Sequence, residues 1–146
     1  AGQAPIDSSS LLSALVEAMG NLARGNELQW TINADPHLAI LVDADDFNNM
    51  MGNLLENAQK WGRTAVRVSA RKSSKGIEFD VEDDGPGVPE EMIDRVILRG
   101  ERADTSVSGS GLGLAIVNDL VELYRGTLKL SRSALGGLKA SLFIPH

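Results

Sequence analysis

The chain has 146 residues, 42% apolar and 23% charged, a length and composition that fit one globular domain with a real core. Acids outnumber bases, 20 to 14, and the formal charge of -6 argues against nucleic acid or an anionic membrane as the main partner. The absence of cysteine excludes disulfides and thiolate metal sites, and no apolar run reaches the roughly 18–20 residues that span a bilayer. No signal-peptide pattern opens the sequence. Aromatic residues are scarce, so the core is expected to be mainly aliphatic.

In chain order, residues 1–5 read as a loose end, and Asp7 and Ser8 are helix caps. Leu11, Leu12, Leu15, Val16, Met19 and Leu22 then recur at helical spacing up to Gly25. Leu28, Trp30 and Ile32 alternate as in a strand, and so do Leu38, Ile40 and Val42. Phe47, Met50, Met51, Leu54, Leu55 and Ala58 form a single apolar stripe, the clearest helix in the chain. Val66, Val68 and Ala70 predict a strand. Ile77, Phe79 and Val81, alternating with Glu78, Asp80 and Glu82, predict another across a hairpin turn at 72–76.

Glycine and proline cluster at 85–89, and Pro89 with Glu90 and Glu91 reads as a helix start. Residues 100–110 are polar and aperiodic, as in a loop. An amphipathic helix is expected over Leu112–Tyr124, closed by Gly126. Strands at Leu128–Ser131 and Leu138–Ile144 flank a Gly136-Gly137 turn. The order predicts one α/β domain over 1–146, with helices on one face of a mixed sheet of about five strands or more.

Three segments carry candidate chemistry. Asn53, Asn57 and Lys60 share the polar side of the central helix. Amide oxygens suit Mg²⁺, and the ammonium offsets phosphate charge; alone, the pattern reads more readily as a solvated helix face. Asp83-Asp84-Gly85-Pro86-Gly87 follows a strand. An Asp there can accept a hydrogen bond from an exocyclic amine such as adenine N6, while the glycines permit close ligand approach; alone, the segment is also good turn chemistry. Gly109-Ser110-Gly111-Leu112-Gly113-Leu114 opens a helix, where free N–H groups form an anion site. It lacks the βαβ setting of a dinucleotide fingerprint and the Gly-Lys-Ser/Thr of a Walker A loop.

The order and spacing of the three segments resemble the GHKL superfamily of sensor histidine kinases, type II topoisomerases, Hsp90 and MutL. Asn53-Leu54-Leu55-Glu56-Asn57-Ala58-Gln59-Lys60-Trp61 is similar to the N box of histidine kinases, with Trp61 in place of tyrosine. The resemblance implies the Bergerat fold, a two-layer α/β sandwich, and ATP and Mg²⁺ as cofactors. It implies that Asn57 is the main Mg²⁺ ligand, that Asn53 supports it and that Lys60 reaches the phosphates. Asp83 then binds the adenine amine, with Gly85, Gly87, Val88 and Trp61 around the base. Gly109, Ser110, Gly111, Leu112, Gly113 and Leu114 wrap the phosphates beneath a lid. The stretch 96–105 resembles the PhoQ branch and implies an Arg102 near the γ-phosphate. It lacks the F-box phenylalanine, and residues 106–108 read Ser-Val-Ser where that branch has arginine and glutamine.

The ATPase branches usually carry a glutamate base where Asn53 stands, and an amide cannot be that base near pH 7. The implied activity is therefore transfer of the γ-phosphoryl group to a histidine, with slow hydrolysis. Glu56 is a minor candidate for polarising the acceptor. His37 and His146, the two histidines, lack the context of an acceptor. The resemblance implies a separate histidine-bearing dimerisation domain, a response regulator reached through it, and a monomeric catalytic domain. It also implies a cytoplasmic location in a parent protein anchored in the bacterial inner membrane. The alternatives are an ATPase conformational switch and an interaction module that binds no nucleotide.

Overall fold

Phe47, Met50, Met51, Leu54, Leu55 and Ala58 are all buried, so the stripe on helix α2 (Ala44–Trp61) packs as its spacing predicts. Asp43 caps α2 by accepting from the backbone N–H groups of Asp45 (2.9 Å) and Asp46 (3.2 Å). Asp45 and Asp46 occupy the first turn and Lys60 the last, each at the pole that favours its charge. The computed structural model describes residues 4–21, 27–89, 91 and 113–146.

Five strands form the main sheet: β2 (Gln29–Ala34), β4 (Ala65–Lys72), β5 (Gly76–Asp83), β6 (Thr127–Arg132) and β7 (Leu138–Pro145). Their spatial order is β2-β4-β5-β7-β6, with β2 and β4 parallel and the other neighbours antiparallel. Register aligns Ile32, Val68, Val81, Ala140 and Leu130 in one cross-strand row, and Ala34, Ala70, Phe79, Leu142 and Leu128 in another. Apart from Ile32, which is exposed on the edge strand, these rows pack with α2, α1 (Ser8–Gly20) and α3 (Gly113–Leu123) into one core. The architecture is the expected two-layer sandwich with a mixed sheet. Phe47 of α2 meets Phe79 of β5 edge-to-face, with centroids 5.4 Å apart, at the seam between the layers.

A second, two-stranded sheet was not expected from the sequence. In it β1 (Ile6–Asp7) pairs antiparallel with β3 (Ala39–Ile40). The strand expected from Leu38, Ile40 and Val42 is present as β3 but is shorter, whereas the two residues of β1 offer no alternation to detect. Asp7 caps α1 through the N–H groups of Ser9 and Ser10, and the Ser8 hydroxyl donates to the Leu38 carbonyl at 2.6 Å.

Helix α3 ends differently from expectation. Gly126 is not the residue in the left-handed region; Arg125 is, with φ 60°. The N–H groups of Gly126 and Arg125 reach back to the carbonyls of Val121 and Glu122, the two bonds of a Schellman motif. Gly126 is required for space, because a Cβ there would lie 2.7 Å from Val121 Cγ2 and overlap the Phe143 carbonyl.

Tyr124 joins the end of α3 to the start of α2. Its hydroxyl donates to Asp46 and accepts from the Asp43 N–H (3.3 Å). Burial raises its pKa, and the carboxylate of Asp46 adds to the rise. Tyr124→Phe is expected to cost about 0.5–1.5 kcal/mol, read as a lower denaturant midpoint with an unchanged slope.

The outer sheet face is polar and ordered. Glu82 is buried there; Arg67 grips it bidentately (3.1 and 3.2 Å), and the Ser133 hydroxyl donates to it at 3.0 Å. Burial alone would raise the Glu82 pKa, but the Arg67 and Ser133 contacts outweigh it and hold it below the usual range. Asp80 is also buried, beneath Arg71 and Lys139, and burial pushes its pKa up.

Candidate nucleotide site

Helix α2 presents Asn49, Asn53, Asn57 and Lys60 along its polar side. The Asn53 side-chain amide donates to the Asn49 backbone carbonyl (2.7 Å) and to Asn49 Oδ1 (2.8 Å). Those bonds fix which way the amide faces and turn Asn53 Oδ1 toward α3. A Cβ on Gly113 would sit 3.3 Å from that oxygen. The first residue of α3 therefore packs against the asparagine helix, which brings together segments sixty residues apart in sequence.

The Asp-Asp-Gly-Pro-Gly turn meets the other end of α2. Asp83 closes β5, is buried, and accepts at Oδ1 from the N–H groups of Gly85 (2.9 Å) and Leu138 (3.3 Å). Gly85 lies so close to the Trp61 carbonyl that a Cβ would overlap it. Gly87 has φ +73°, a left-handed conformation that glycine adopts without strain. Val88 is half-buried against the core, and Trp61 is half-buried at the end of α2.

Asp84 carries a role that its sequence context does not announce. Its carboxylate accepts from the N–H groups of Arg63 (2.8 Å), Thr64 (3.0 Å) and Ala65 (3.1 Å), and from the Thr64 hydroxyl. It thereby fastens the exit of α2 to the start of the glycine turn. Partial burial opposes ionisation, but the Thr64 hydroxyl and these N–H groups prevail and depress its pKa well below the ordinary value.

The other sequence candidates divide plainly. Lys60 is half-buried on the same side of α2 as Asn53 and Asn57, and Glu56 is exposed. Leu114 belongs to the hydrophobic core, so it can meet a ligand only through its backbone. Arg102, Gly109, Ser110, Gly111 and Leu112 lie outside the described residues, as do the expected helix start after Pro89 and the loop at 100–110.

Among the described residues no cluster of three or more His, Asp or Glu side chains could cage a metal. The oxygens that α2 offers are amides. That donor set fits Mg²⁺ held jointly with phosphate oxygens and water, rather than by protein carboxylates. Among the described residues no helix is long and apolar enough to cross a membrane.

A glycine turn and a helix start gathered on an asparagine-bearing helix, above a mixed five-stranded sheet, define the ATP-binding domain of the GHKL class. A model of the histidine kinase-, DNA gyrase B- and HSP90-like ATPases matches residues 42–146, and the chain belongs to that family. Its similarity runs to sensor kinases. It is 39% identical over 142 residues to the sensor protein kinase CarS of Pseudomonas aeruginosa, covering 97% of this chain and 32% of that protein. It is 42% identical over 127 residues to the two-component sensor PhoQ of the same organism, covering 87% of this chain and 28% of that protein. The chain thus spans about a third or less of these relatives.

Two solved structures agree. The mycobacterial sensor histidine kinase MprB superimposes with a TM-score of 0.85 at 26% identity, covering 98% of this chain and 97% of that one. The ATP-binding domain of PrrB from Mycobacterium tuberculosis gives 0.81 at 28% identity, covering 99% and 98%.

Proposed function

We propose that this domain binds Mg-ATP beside α2 and delivers the γ-phosphoryl group to a histidine on a separate helical dimerisation domain. The observation that carries the reading is the convergence of the motifs on α2, with Gly113 packed against Asn53 and Gly85 against Trp61. Asp83 receives the adenine amine, with Gly87 and Val88 beside the base. Asn57, supported by Asn53, holds Mg²⁺ against the phosphates, and Lys60 offsets their charge. Gly109, Gly111 and Gly113 wrap the phosphates, and Arg102 of the lid approaches the γ-phosphate.

Asn53 supports the kinase branch of the family over the ATPase branches. The ATPases activate water with a carboxylate, and a neutral amide has no basic site for that proton near pH 7. The bound γ-phosphoryl group is therefore preserved for an acceptor brought by another domain. A response regulator then draws the phosphoryl group from that histidine, in a parent protein anchored in the bacterial inner membrane with this domain on the cytoplasmic side.

Calorimetric titration with ATP, with and without Mg²⁺, tests the site. Asn57→Ala is expected to bind ATP with its Mg²⁺ dependence largely lost, because the main protein contact to the ion is gone. Phosphoryl transfer to a supplied histidine-bearing helical domain tests the reaction. Rapid hydrolysis with no transfer would favour the ATPase switch, and no nucleotide binding by the folded chain would leave only an interaction module.

A further inference from the structure

We infer that the hairpin between β6 and β7 sets the nucleobase specificity of the site, with Gly137 and Leu138 as the residues that position Asp83. The inference rests on the proposed ATP site and adds what orients its base-reading carboxylate. The Leu138 N–H donates to Asp83 Oδ1 at 3.3 Å, and the Gly137 N–H donates to the Asp83 carbonyl at 3.1 Å. Gly85 supplies a second N–H to the same carboxylate oxygen at 2.9 Å. Two donors on Oδ1 fix the plane of the carboxylate, and with it the direction in which Oδ2 points.

Gly137 is the hairpin glycine whose side chain would collide with this arrangement. A Cβ there would lie 2.5 Å from the Asp83 carbonyl oxygen and 2.6 Å from the Gly85 nitrogen, and would overlap Asp83 Oδ1. Its neighbour Gly136 has φ +108°, but a Cβ on it would meet nothing within 4 Å, so it serves the turn and not the carboxylate. The hairpin is also tied to the strand residue before Asp83. The Ser133 N–H donates to the Gly137 carbonyl at 2.8 Å, and the Ser133 hydroxyl donates to Glu82 at 3.0 Å. Strand β5 is thus gripped at Glu82 on the outer face and at Asp83 on the inner.

A fixed carboxylate accepts from the 6-amino group of adenine and repels the 6-oxo group of guanine. A site built around such a hydrogen bond discriminates against ligands that lack the donor. Removing the orientation removes the discrimination even where the carboxylate remains.

The test compares Mg-ATP with the Mg-complex of purine riboside triphosphate, which lacks only the 6-amino group, for the wild-type chain, Gly137→Ala and Gly136→Ala. Wild type is expected to prefer ATP about tenfold or more. Gly137→Ala should lose most of that preference, and Gly136→Ala, which strains the same turn without touching Asp83, should keep it. Wild-type preference in Gly137→Ala, or equal loss in Gly136→Ala, would overturn the positioning role while leaving the ATP site intact. A folded wild-type chain that binds neither nucleotide overturns the ATP site and this inference with it. If Gly137→Ala does not fold, an ester in place of the Leu138 amide, introduced by ligation of the C-terminal peptide, carries the test. It deletes one N–H and adds no bulk, so an unchanged preference would overturn the inference.

Discussion

Asp83→Asn should fold and yet bind Mg-ATP at least about a hundredfold more weakly than wild type. The asparagine keeps an oxygen for the Gly85 and Leu138 N–H groups, which both reach Oδ1. Those donors select the flip of the amide, so the NH₂ group takes the place of Oδ2. An acceptor is thereby replaced by a donor where the adenine amine also donates. The loss combines a charge-assisted hydrogen bond, worth roughly 1.5–3 kcal/mol, with the repulsion of two donors. Asp83→Ala is the cruder variant. It leaves two N–H groups beside a buried position without their acceptor, so a binding loss there mixes recognition with destabilisation. Calorimetry on both variants, with a thermal melt of each, separates the two effects. Near-wild-type affinity in Asp83→Asn would remove Asp83 from base recognition.

The parts of the fold that were legible in sequence are those where periodicity and burial coincide. The α2 stripe is the strongest case, since its six apolar residues are all buried. The β4–β5 hairpin and the β6–β7 hairpin follow from alternation and glycine turns in the same way. What sequence could not give depends on who lies opposite. Alternation places Glu78, Asp80 and Glu82 on the face away from Phe79. It does not reveal that Arg67, Arg71, Lys139 and Ser133 close over two of them. Strand β1 is too short to carry a pattern; β3 lies within the alternation of Leu38, Ile40 and Val42, but its pairing joins residues more than thirty apart, which alternation does not show. The end of α3 misleads because Gly126 fits the usual glycine cap by sequence, while its actual constraint is the Phe143 backbone alongside.

The site shows the same division. Asn53, Asn57, Lys60 and Asp83 stand out through the order and spacing of their motifs, since each motif alone has an ordinary structural reading. Asn49, Asp84, Gly137 and Leu138 do not, because their work is done through hydrogen bonds and space. Asp84 looks redundant beside Asp83 in the sequence. The two neighbours point to opposite sides of the chain at the end of β5, one toward the β6–β7 hairpin and the other toward the α2 exit.

That position makes Asp84 a stability residue with a definite pH signature. Its pKa is depressed from an ordinary value of 3.8 by the Thr64 hydroxyl and the N–H groups of residues 63–65, against the opposing effect of burial. A carboxylate whose folded pKa lies below its unfolded pKa stabilises fully above the unfolded value and loses that contribution as pH falls toward the folded one. The Asp84 contribution should therefore be complete above about pH 5 and decline on acidification below it. Asp84→Ala at neutral pH is expected to cost roughly 1.5–3 kcal/mol, because three backbone donors and a hydroxyl lose a charged acceptor. Asp84→Asn, which does not titrate, isolates the pH term from Glu82 and Asp80, whose shifts oppose one another. Denaturant midpoints of wild type and Asp84→Asn should differ most above about pH 5, and the gap should narrow steadily as pH falls below about 4. A gap that stays constant, or widens in acid, would mean that the Asp84 charge does not hold the α2 exit. Because Gly85 follows Asp84 directly and packs on Trp61, loosening this anchor should also weaken nucleotide binding under conditions where the fold survives. Titrating Asp84→Asn with Mg-ATP at neutral pH, where most molecules remain folded, measures how far the proposed base pocket depends on the joint between helix and turn.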